Sequence, residues 1–176
     1  MFENIRLLGS DEQPIPLHTR MRNPVRNSQA PEPDARARRK FDLLLTQHRD
    51  WELRKPPCGF YNCFGHLWAS RRTAIYDQPE VDKILHDDGY RRLAPAERPR
   101  HGDVAVYCDS TGKSFYHVGM LCELRRLTLA DGTAVGEPTP WILSKWDDAS
   151  GEVLHRLNDV PWPENEFMIE WWTERP

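Results

Sequence analysis

Apolar positions follow two regimes along this chain: a three-to-four-residue spacing before residue 90, and short runs bounded by turn residues after residue 102. Asp34 can cap a helix through Ala35-Arg36-Ala37-Arg38-Arg39. Phe41, Leu44, Leu45 and His48 then recur at i, i+3, i+4 and i+7 as one apolar stripe. Pro56-Pro57 stops anything helical. Asn62 is a side-chain cap for a second helix with Phe64, Leu67 and Trp68 on its inner face. Pro79 opens a third, with Val81, Ile84 and Leu85 inward and Gly89 as its stop.

Beyond Gly102 the pattern changes to strands. Asp103 to Tyr107 is short and apolar, Asp109 to Lys113 is turn chemistry, and Phe115 to Leu124 is a longer strand that Arg125 to Leu129 can extend. Asp131-Gly132 turns the chain, and Pro138 and Pro140 bracket a loop. Trp141 to Trp146 and Glu152 to Leu157 read as strands around a turn at Asp147 to Gly151. Phe167 to Thr173 is the last strand. Helices first and an antiparallel sheet afterwards predict an α+β fold, N-terminal helices packed on the sheet. Residues 1–33 hold Pro14, Pro16, Pro24, Pro31 and Pro33 with scattered arginines and no period. They read as a flexible leader, extended unless it docks, ahead of a single domain over 34–176.

Composition narrows the function classes. The chain has 176 residues, enough for one domain with a real core. A mean hydropathy of -0.74 and 29% charged residues fit a folded domain with a polar tail. Net charge is -3 and the pI about 6.2, so no global basic field exists to hold nucleic acid. Residues 1–40 carry eight Lys/Arg against five Asp/Glu, a basic start that offers a partner protein a docking segment or is simply solvated. Cys58, Cys63, Cys108 and Cys122 are too few for a disulfide framework. No apolar run approaches a membrane span, and Glu3 and Arg6 interrupt any secretory h-region. The expectation is a chain made in the cytoplasm, with signal-independent export left open.

Candidate chemistry centres on Cys63, which falls at the first position of the second helix beside unpaired main-chain N–H groups. His117 lies in the long strand, where Phe115, His117, Gly119 and Leu121 share a face by alternation. A helix N-terminus favours a thiolate and an imidazole can take its proton, the two requirements of a cysteine nucleophile. Tyr61 could add a hydroxyl to an oxyanion site, and Gly119 leaves room beside His117. The third position is weaker. Ser144 shares a face with Ile142 and Trp146 and is the preferred partner for the imidazole, with His155 and Asp147 as alternatives.

The order Asn62-Cys63, Gly102-Asp103-Val104-Ala105-Val106-Tyr107, His117-Val118-Gly119-Met120-Leu121 resembles the NlpC/P60 and CHAP branch of the papain-like cysteine hydrolases, over about residues 57–157. It also resembles small uncharacterised bacterial proteins with an Asn-Cys helix, a Gly-Tyr, a strand ending in His, a Ser-Lys-x-Gly and a later His-x-Leu. Here these are Asn62-Cys63, Gly89-Tyr90, His117, Ser144-Lys145-Trp146 and His155-Arg156-Leu157, with Asp147 where glycine is expected. The resemblance implies a papain-like fold and a metal-free cysteine hydrolase. Cys63 would attack an amide or peptide carbonyl, His117 would pass its proton to the leaving amine, and Ser144 would orient the ring. A cell-wall amidase or a secreted effector is the natural setting. The alternatives are a non-catalytic binding module on the same scaffold and a protein-modifying deamidase or acyltransferase toxin.

Plainer readings stand beside these. Cysteine is often a small buried hydrophobe. Cys58, Cys63 and His66 lack a fourth ligand for zinc, so no cofactor or metal is expected. Trp141, Trp146, Trp162, Trp171 and Trp172 are either core or the wall of a substrate groove. Arg91, Arg92, Arg98 and Arg100 form a solvated loop or an anion site.

Overall fold

The side-chain caps read from the sequence are made. In the computed structural model, which describes residues 14–29, 32–163 and 166–176, Asp34 accepts from the Ala37 amide at 2.7 Å and starts α1 (Ala35–Gln47). Only Phe41 of the α1 stripe is fully buried. β1 (Glu52–Lys55) follows. Three of its four residues are charged, so no apolar alternation announces it, as suits a strand at a sheet edge. Asn62 caps α2 (Cys63–Trp68), six residues long, by accepting from the Gly65 amide at 2.9 Å. α3 (Gln78–Asp87) has Pro79 in its first turn, and Gly89 follows it at φ 77°, a left-handed stop. The remaining elements are β2 (Arg91–Arg92), β3 (Val104–Cys108), β4 (Phe115–Thr128), β5 (Ala134–Lys145), β6 (Glu152–Arg156) and β7 (Met168–Thr173).

The strands form one antiparallel sheet in the order β1-β6-β5-β4-β3-β7-β2. The fold is therefore α+β. Alternation along β3 divides the interior in two. Val104, Val106 and Cys108 join Cys63, Phe64, Val81, Ile84, Leu85 and Val118 in a core under α2 and α3. Ala105 and Tyr107 point the other way, into a second core with Phe41, Trp51, Leu121, Ile142, Trp146 and Val153.

Three expectations change. Pro138 and Pro140 do not bracket a loop, because both lie within β5. The Pro140 carbonyl accepts from the Leu157 amide, away from β4, so its missing N–H costs no bond in the β4–β5 ladder. Phe115 does not share the face of His117. Tyr107 pairs with His117 but Cys108 with Phe115, so Tyr116 is an inserted residue, and Phe115 turns to the α3 side.

The leader is not free over residues 14–29. Leu17 and Val25 are buried in the first core, Thr19 donates to Asp87 at 2.7 Å, and Ser28 bridges Ala74. Arg20 pairs with Glu174, and Arg26 with Glu80 at 3.0 Å, ties that hold this stretch to the domain's own surface. The domain includes this stretch, while residues 1–13 and 30–31 of the expected leader lie outside the described residues. Among the described residues no helix is long and apolar enough to cross a membrane.

Candidate functional site

Cys63 is placed as its sequence position implies. Asn62 caps α2 and also ties it to the neighbouring segment, donating to the Ile75 carbonyl at 2.6 Å and accepting from the Ile75 amide at 3.2 Å. The Cys63 side chain lies in the first core and the residue is only 5% exposed. Burial pushes its thiol up to about 12. The main-chain amides of Val118, Phe64 and Cys63 itself pull the other way without overcoming it.

His117 is one residue from the Val118 amide that meets the Cys63 sulfur, yet its ring belongs to the other face of the sheet. It stacks on Trp146 with centroids 4.3 Å apart. Trp162 and Tyr107 close around it at 5.5 Å each. The ring is fully buried, and neither nitrogen has a hydrogen-bond partner among the described residues, so no hydrogen bond joins it to Cys63. Burial, with His155 and His66 nearby, holds its pKa well below the usual histidine range. The thiolate–imidazolium pair expected from the sequence is not formed. The alternation that puts Val118 beneath α2 turns His117 away from it.

Ser144 does not reach His117 either. Its hydroxyl lies 2.8 Å from His155 Nε2. His155 Nδ1 sits 2.8 Å from the Arg156 carbonyl, which can only accept, so Nδ1 carries the proton and Ser144 donates to Nε2. Burial lowers His155 to about 4, which keeps this neutral tautomer. Asp147 is exposed and accepts from the Ala149 amide at 2.8 Å, a turn cap and not an orienter. The space expected beside His117 is filled. A Cβ on Gly119 would meet Ile142 Cγ2 at 2.4 Å and Ser144 Cβ at 3.0 Å.

The alternation along β5 hides a second polar cluster behind the first. Lys145 is fully buried on the α2 side, donating to the Cys58 carbonyl at 2.9 Å and to the Ser150 carbonyl, with its ammonium 5.0 Å from the Tyr61 ring. Opposite it on β6, Glu152 accepts from the Tyr61 hydroxyl at 2.6 Å and from Arg71 at 2.5 Å. Tyr61 is thus committed to Glu152 and supplies no oxyanion donor. His66 is buried beside this pair. It accepts from Arg71 at 3.0 Å, and burial lowers it to about 4. This cluster was missed in the sequence. Its one signal is a lysine inside the apolar run Trp141-Ile142-Leu143-Ser144-Lys145-Trp146.

Trp51, Trp141 and Trp146 are buried, whereas Trp68, Trp162, Trp171 and Trp172 are half-buried. His48, Trp51, Trp146 and His117 form one continuous stack, at 4.1, 5.1 and 4.3 Å between successive rings. His48 is bonded to Asp159 at 2.7 Å. Cys58, Cys63, Cys108 and Cys122 are free thiols. Among the described residues no group of three or more His, Cys, Asp or Glu is arranged to hold a metal ion. The described residues form at least two surface clefts. One is walled by α3, Arg92, Lys113 and Trp172, the other by Pro138, Pro140 and Arg156, and neither contains Cys63 or His117. No protein-family model, curated protein or solved structure matches the chain.

Proposed function

We propose that this chain is a non-catalytic binding domain on a papain-like, NlpC/P60-type α+β plan, in which Cys63 and His117 are packed side chains. The observation that carries the reading is their separation. The Cys63 sulfur lies in one core, the His117 ring in the other, and no hydrogen bond joins them. A thiol pushed up to about 12 gives almost no thiolate at neutral pH. An imidazole held far below its usual range exerts no positive field on it.

A second reading, the cysteine hydrolase acting on a peptide or amide bond, is favoured by one specific arrangement. The main-chain amides near Cys63 favour its thiolate, against burial, and His117 carries two buried nitrogens without partners among the described residues. For this reading the Trp146–His117 stack must open and β4 must shift by one residue, so that the imidazole passes to the α2 face, takes the thiol proton and delivers it to the leaving amine. Ser144 would then have to exchange His155 for His117.

Iodoacetamide labelling at pH 6 and pH 8, read by mass spectrometry on Cys63, separates the two. The binding domain predicts labelling slower than a free thiol at both pH values, unchanged in His117→Ala. Rapid labelling at pH 6 that disappears in His117→Ala would establish the hydrolase reading instead.

A further inference from the structure

The cleft beside α3 combines an apolar floor with a cation that has no partner among the described residues. Its volume is about 410 Å³, within the range of small-ligand sites. Leu85, Phe115 and Trp172 form the floor, Phe115 meeting Trp172 edge-on at 6.2 Å. Tyr90 stands at one side.

The charges around that floor are unevenly committed. Arg92 lies over the Trp172 ring at 5.2 Å and pairs with Glu170 at 3.0 Å. The other Glu170 oxygen accepts from the Trp172 indole at 3.1 Å, so this carboxylate is engaged on both sides. On the rim, Asp82 accepts from Gln78 at 2.8 Å, and the exposed His86 pairs with Asp87 at 3.0 Å. Lys113 is exposed, and its ammonium makes no hydrogen bond or ion pair among the described residues. The turn that presents it is fixed. Gly112 adopts φ 68°, its carbonyl accepts from Arg92 at 3.3 Å, and a Cβ there would meet Glu170 at 2.7 Å.

We infer that this cleft binds a planar apolar group carrying a carboxylate, such as an aromatic acid or the C-terminus of a peptide ending in an aromatic residue. The ring packs on Phe115 beside Leu85 and the edge of Trp172, and the carboxylate meets Lys113. Arg92 already occupies the cation position over Trp172 and is offset by Glu170, which leaves Lys113 as the charge that attracts an anionic ligand. The inference rests on the binding-domain reading for its purpose. The labelling of Cys63 involves none of these residues, so failure of one leaves the other measurable.

The test titrates the full chain with phenylacetate and with phenylacetamide, following the amide signals of Gly112 and Lys113 and the indole signal of Trp172 by NMR. The acid is expected to bind at least about tenfold more tightly than the neutral amide, and Lys113→Glu to weaken the acid by about tenfold or more. The melting temperature of Lys113→Glu should match the wild type, because the side chain holds nothing in place. N-acetyl-phenylalanine binding more tightly than phenylacetate assigns a peptide terminus, and the reverse order a free acid. Equal affinity for acid and amide, an unaffected Lys113→Glu, or no shifts up to about 10 mM overturns the proposal.

Discussion

The rings of His117 and Trp146 lie 4.3 Å apart and 19° from parallel, and both nitrogens of His117 lack partners among the described residues. Burying unpaired polar atoms costs about 1–3 kcal/mol. A phenylalanine keeps the stack and removes that cost. His117→Phe should therefore raise unfolding stability by about 1 kcal/mol or more, read from urea denaturation. A loss of stability would mean that the ring nitrogens have partners and that the polar character of this position is structural.

Glu152 is held by Tyr61 and Arg71 and is 1% exposed. Glu152→Ala strands a buried tyrosine hydroxyl and faces Arg71 with no counter-charge. The expected loss is about 3 kcal/mol, measured as a shift in the denaturant midpoint at constant slope. A change within about 0.5 kcal/mol, the usual range for surface substitutions, would show that this cluster is solvated.

Acid should destabilise the fold through its buried histidines. Burial lowers His66 and His155 from 6.5 to about 4, and lowers His117 as well. Between those values the unfolded chain binds protons that the folded chain does not. Stability is thus fully present above about pH 6.5 and falls as the pH drops toward about 4. Each of His66 and His155 contributes a loss of about 2 kcal/mol between pH 7 and pH 5. Denaturation curves at these two pH values check it, and His155→Gln should flatten the dependence.

Gly119 leaves no room for a side chain. Gly119→Ala drives a methyl group into Ile142 and Ser144 and should cost about 1–3 kcal/mol. Pairing it with Ile142→Ala removes the Cγ2 methyl that the new side chain meets and should recover part of the loss. Recovery is expected in a double-mutant cycle by thermal melting, and strict additivity would place the strain elsewhere.

The helices were legible because their stops and caps are local. Asp34 and Asn62 cap as their side chains suggest, and Gly89 ends α3. The strands were legible in position but not in orientation. Alternation says that His117 and Val118 face opposite ways, but not which of them lies under α2, since one residue of register exchanges the two faces. That choice separated Cys63 from His117 and gave Ser144 to His155. The placement of Phe115 turned on the extra residue Tyr116, which composition does not announce. The papain-like expectation rested on residue order, whereas a catalytic pair depends on side-chain direction.

Leu17 and Val25 fill the first core from a stretch with no helix or long strand, so the earliest regular element is a poor guide to where a stable fragment can start. An expression boundary drawn at Asp34 would open that core to water and leave Asp87 and Glu80 without their ties to Thr19 and Arg26. A tag or fusion partner joined at Asp34 in place of residues 14–29 should give a protein prone to aggregation.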